Sequence, residues 1–120
     1  MFTSFGRACV RCVALVALAA SAAGAQAGVS TLAECFEGAD FIGNAARSRD
    51  NGMSREAFIG RLEDDLIVIR AFPPAMRWFA KDAADERFLR QAATRVYDQP
   101  LAPAQHRSEF LAACLERSDA

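Results

Sequence analysis

Apolar residues recur at helical spacing through the last three quarters of the chain, and capping residues cut that pattern into four long pieces. Thr31 with Glu34 three residues on forms a capping box, which opens a first helix that stops at Asn51-Gly52. Leu32, Cys35, Phe36, Ala39, Ile42, Gly43 and Ala46 fall on one stripe of it, so Cys35 points inward. Ser54 caps a second helix that ends before Pro73-Pro74, with Phe58, Ile59, Leu62, Leu66 and Ile69 as its inward stripe. A short helical piece over 75–80 follows, and Asp82 caps a third long helix through Tyr97 with Phe88, Leu89, Ala92 and Val96 facing inward. Asp98-Gln99-Pro100 ends it, Pro103 starts a fourth, and Phe110, Leu111 and Cys114 share one face there. No segment alternates as a half-buried strand does, so the expected class is all-α: a compact four-helix arrangement with a short extra helix.

The N-terminal segment follows different rules. Arg7 and Arg11 precede an apolar run from Val13 to Ala20, and small residues end in Ala25-Gln26-Ala27. That order predicts a Sec-type signal peptide over 1–27, cleaved before Gly28, and a single helical domain over 28–120 in the periplasm or outside the cell. The apolar run is far shorter than the ~18 residues that span a bilayer, so no stable membrane insertion is expected after cleavage. Cys9 and Cys12 have redox spacing but lie inside that signal. Two cysteines then remain, Cys35 and Cys114, and in an oxidising compartment a bond between them is the first expectation, with an intermolecular bridge the alternative. In an up-down-up-down bundle the start of helix 1 and the end of helix 4 lie at the same end, which is where these two cysteines fall.

Loss of Arg7 and Arg11 leaves 12 basic side chains against 15 acidic ones, a net of −3. A balance of that sign argues against nucleic acid as a partner, and against an anionic lipid surface. Catalytic chemistry finds little support. Glu63-Asp64-Asp65 are consecutive on a helix and point about 100° apart, so they do not converge on one cation. Asp65 alone sits at the edge of the apolar stripe, and an enzyme reading requires it to meet His106, the single histidine, across helices. No second histidine or free cysteine supplies metal-ligand spacing, and no serine has a nucleophile context, so neither metal nor cofactor is expected and the chain is read as not an enzyme.

Two patches remain. Arg47, Arg49 and Arg55 gather around the start of helix 2, where unpaired backbone N-H groups favour an anion. Phe72, Trp78 and Phe79 crowd around Pro73-Pro74, and Phe41 lies opposite the main stripe of helix 1. Either the connection over 72–80 folds across helix 1 as a lid, or these four aromatics form an exposed patch that recognises a partner.

Cys35, Arg49-Asp50-Asn51-Gly52, Val96-Tyr97-Asp98-Gln99-Pro100 and the span from Phe110 to Cys114 together give the pattern C…RDxG…VYxxP…FxxxC. It resembles an uncharacterised group of small exported proteobacterial proteins across nearly all of 28–120. The resemblance implies export, helices and a terminal disulfide, and transfers no catalytic residue. The favoured expectation is a periplasmic protein-interaction module such as a chaperone, inhibitor or immunity-like factor, with another periplasmic protein as its partner. A small-ligand or anion-binding module is the first alternative, and a small enzyme using Asp65 and His106 the second.

Overall fold

A computed structural model of the chain describes residues 30–119; the expected signal peptide, with Cys9 and Cys12, lies outside the described residues. Four helices follow in order: α1 Leu32–Asp50, α2 Arg55–Arg70, α3 Ala83–Asp98 and α4 Pro103–Asp119. A 3-10 turn over Pro74–Met76 interrupts the α2–α3 connection, shorter than the helical piece expected over 75–80. No strand is present among the described residues.

The helix boundaries are set by side-chain chemistry. Thr31 Oγ1 accepts the Glu34 N-H at 3.1 Å while Glu34 Oε2 accepts the Thr31 N-H at 3.3 Å, which satisfies two amides that α1 itself leaves unpaired. Ser54 accepts from Ala57 and Asp82 from Asp85 at the starts of α2 and α3. At the end of α1, Gly52 takes φ +96°, a left-handed geometry costly for any residue with a Cβ. The Gly52 and Met53 amides then donate back to Arg49 and Ser48, closing the helix as a Schellman motif.

The largest interface joins α1 and α4, with smaller ones between α1 and α3 and between α2 and α3. Cys35 and Cys114 are disulfide-bonded across it with Cα atoms 5.6 Å apart, so helices 1 and 4 are joined within the one chain. The two helices come close because α1 presents glycines there: a Cβ on Gly43 would stand 3.6 Å from the Pro103 carbonyl oxygen and 3.5 Å from Arg107 Cβ, and Gly38 lies against Phe110. A Cβ on Gly38 would stand 2.6 Å from a ring carbon of Phe110, so only glycine fits.

That close approach also corrects the stripe expected for α1. Leu32 and Phe36 are exposed, while Gly38 and Ala45 are buried. Small side chains occupy the seam, and the two large ones are displaced to its rim, where Phe36 lies under the Arg107 guanidinium at 6.0 Å. Cys35, Ala39, Ile42 and Ala46 sit in the core with Leu62, Leu66, Leu89, Val96, Phe110 and Cys114. Ala93 joins them, whereas Phe58, Ile59, Ile69, Phe88, Ala92 and Leu111 are partly buried against that core. Phe79, although it lies in the irregular connection, is fully buried and packs on Phe110 with ring centroids 5.5 Å apart.

Candidate functional site

The connection between α2 and α3 carries little regular structure, so its backbone carbonyls need other partners. Arg77 supplies them: its guanidinium donates to the carbonyls of Phe72 at 2.8 Å, Lys81 at 2.9 Å and Arg70 at 3.1 Å. This clamp fixes the segment that carries Trp78 and Phe79. Trp78 meets Phe41 edge-on with centroids 5.5 Å apart, and Phe41 in turn lies 5.8 Å from Phe58. Phe58 continues to Tyr97 at 5.9 Å, and the Tyr97 hydroxyl donates to the Met53 carbonyl at 3.1 Å. A chain of aromatic rings thus runs between α1, α2 and the connection, a geometry that favours edge and tilted contacts.

Above this chain the molecule is open. One cavity of about 350 Å³ is lined by Phe41, Leu62, Asp65, Val68, Ile69, Trp78 and Leu89. A second, of about 180 Å³, is lined by Phe41, Ser48, Met53, Phe58, Arg61, Leu62 and Asp65. Phe41, Leu62 and Asp65 belong to both, so the two form one groove between α1 and α2. Val68, one of its lining residues, is 60% exposed, and Ile67 at 61%, Phe72 at 47% and Met76 at 70% are exposed apolar side chains at the end of α2 and in the connection.

Of the four aromatics singled out in the sequence, then, Phe41 and Trp78 are half-buried in the groove, Phe72 lies exposed beside it, and Phe79 is core. The structure adds Phe58, Ile67, Val68 and Met76. A signal for two of these was present: Leu66-Ile67-Val68-Ile69 is apolar on all sides of the helix, more than one inward stripe requires.

The three candidate anion-site arginines have separate attachments. Arg47 donates to Asn44 at 2.9 Å, and Arg55 pairs with Asp98 at 2.9 Å. Arg49 donates to the carbonyls of Val96 and Leu101, each at 2.7 Å, and pairs with Asp50 at 2.9 Å. It therefore ties the end of α1 to the end of α3 and to the loop before α4. Through Arg49 and the Tyr97–Met53 bond, the RDxG and VYxxP segments meet.

His106 belongs to the same junction. It is 3% exposed, and its Nε2 accepts the Leu101 N-H at 3.0 Å, so in the neutral ring the proton sits on Nδ1. Burial, and then the charge of Arg49, hold its pKa below the ordinary histidine value. Asp65 lies on the exposed side of α2, and no described cavity holds both residues.

Asp85, which the sequence reading did not single out, is 1% exposed and accepts from Arg117 at 2.8 Å and from the Lys81 N-H at 3.2 Å. Burial raises its pKa in spite of that arginine. It joins the start of α3 to the last turns of α4 near the disulfide, a structural placement. Among the described residues no group of three or more His, Cys, Asp or Glu side chains could hold a metal ion, and no helix is long and apolar enough to cross a membrane.

No protein-family model, curated protein or solved structure matches this chain.

Proposed function

We propose that the chain is an exported protein-interaction module that engages a partner protein through the groove between α1 and α2. One observation carries this reading: Val68, 60% exposed, lines a groove floored by Phe41 and Trp78, and Ile67, Phe72 and Met76 are further exposed apolar side chains at the end of α2 and in the connection after it. Exposed apolar patches of this kind mark sites where a soluble protein meets something else. Covering one such side chain on binding is worth roughly 1.5–3 kcal/mol, so a few of them suffice for a specific contact. Export is supported by the residue order over 1–27 and agrees with a disulfide between Cys35 and Cys114.

Affinity capture from periplasmic extract tests this reading. The wild-type protein is expected to retain a partner that Val68→Asp and Trp78→Ala lose, with both variants giving the wild-type helical circular dichroism spectrum. Capture that is indifferent to both substitutions counts against the groove as the binding face.

A further inference from the structure

Every basic side chain near the apolar end of the groove is already engaged within the chain. Arg70 pairs with Glu86, Arg90 with Glu63 and Lys81 with Glu34, and Arg77 is spent on three carbonyls. Asp65 is the exception among the charged groups there. It lines both halves of the groove, is exposed, and among the described residues makes no ion pair and no side-chain hydrogen bond. Arg61, one turn earlier on α2, lines only the end near Ser48 and Met53. Arg61 is likewise exposed and without an ion pair among the described residues, so it offsets Asp65 in the smaller cavity, whereas in the larger one Asp65 is the only charged lining residue and the uncompensated charge over Phe41 and Trp78 is negative.

We infer that the groove takes an amphipathic peptide segment of a partner protein whose apolar face carries a lysine or arginine opposite Asp65. This rests on the interaction reading above and adds the chemistry of the partner. Apolar anchors at helical spacing fill the space above Phe41 and Trp78, the way amphipathic helices are recognised in grooves. The basic residue at the edge of that face finds Asp65 without displacing any existing ion pair. A carboxylate at the same place would meet Asp65 as a like charge beside low-dielectric surface, so the preference has a repulsive component as well as an attractive one.

Two synthetic peptides of the same apolar pattern, one with leucine and lysine and one with leucine and glutamate, supply the probes, each fluorescein-labelled and about 14 residues long to give four helical turns. Fluorescence anisotropy on the oxidised protein is expected to show the leucine-lysine peptide binding about tenfold more tightly than the leucine-glutamate peptide. Asp65→Lys should reverse that order. Glu116→Lys, an equal change of net charge on the exposed side of α4, should leave it unchanged. If both peptides bind alike and Val68→Asp abolishes both, the groove binds apolar segments and the basic-partner inference is overturned while the interaction reading stands. If neither peptide binds, or if Asp65→Lys and Glu116→Lys act equally, the inference is overturned too.

Discussion

Where α1 meets α4, Gly38 and Gly43 let the two helices approach, Phe110 fills the contact, and a disulfide closes it. Where α1 faces α2, the large rings of Phe41 and Phe58 stand between the helices, and the space over them is open. The two sides use apolar residues in opposite ways. On the α4 side small residues minimise the gap, Ile42 and Phe110 are buried, and Leu32 and Phe36 are left at the rim. On the α2 side only Leu62 and Leu66 are buried, while Ile67 and Val68 face solvent. The tie is thus on one side of the bundle, and the other exposes apolar surface, the face proposed to meet a partner.

Cutting the closed side should have the largest effect. The bond joins residues 79 apart in sequence, and constraining a loop of that length contributes roughly 4 to 4.5 kcal/mol in the chain-entropy account. Urea unfolding with and without reductant measures this, and coincident curves would show that the tie is idle.

Two glycine substitutions sharpen the contrast at smaller scale. Gly38→Ala pushes a methyl group against Phe110 and is expected to cost about 1–2 kcal/mol even though alanine favours a helix. Gly60, within α2, has nothing within 4 Å of where a Cβ would stand. Gly60→Ala should therefore stabilise by about 0.5–1 kcal/mol through helix propensity alone. Thermal melts of the two variants should shift in opposite directions; a shared direction would mean that the two faces are not packed differently.

The smallest effect expected is a pH dependence confined to the Arg49–His106 junction, away from the groove. Arg49, Arg95, Glu109 and Asp50 are the charges that act on the His106 ring, and burial keeps its folded pKa below 6.5. The unfolded chain takes up the proton first as pH falls, so this contribution is complete above about 6.5 and is lost on acidification toward the folded pKa. Asp85 has the opposite sign, because burial raises its pKa above 3.8; the folded state disfavours its ionised form, and that cost is relieved only in stronger acid. Urea midpoints should fall between about pH 7.5 and pH 5.5, and His106→Gln, which keeps an acceptor near Nε2, should flatten the change.

Much of the fold was legible because its signals are local. Thr31, Ser54, Asp82 and Gly52 act within three or four residues of themselves, so their identity alone marks helix ends. The cysteine pair added one long-range constraint that the helix count could check. The misplacement of Leu32 and Phe36 arose where the outcome depends on the partner helix: nothing in α1 alone says that α4 comes close enough to require glycine at Gly38. The role of Arg49 was hidden for the same reason, since its acceptors at Val96 and Leu101 lie about 50 residues away in sequence. The aromatic surplus drew attention to two of the residues that line the groove, Phe41 and Trp78, but the groove itself depends on Asp65, Val68 and Ile69 lying over them, which only the packing of α2 decides.

Hydrogen exchange of the oxidised protein with and without the leucine-lysine peptide tests most directly whether one side closes the bundle and the other binds. The peptide should slow exchange in α2 and in the connection from Phe72 to Trp78 while leaving α4 unchanged. Protection spread evenly over α2 and α4, or absent from both, would contradict the division of labour between the two faces.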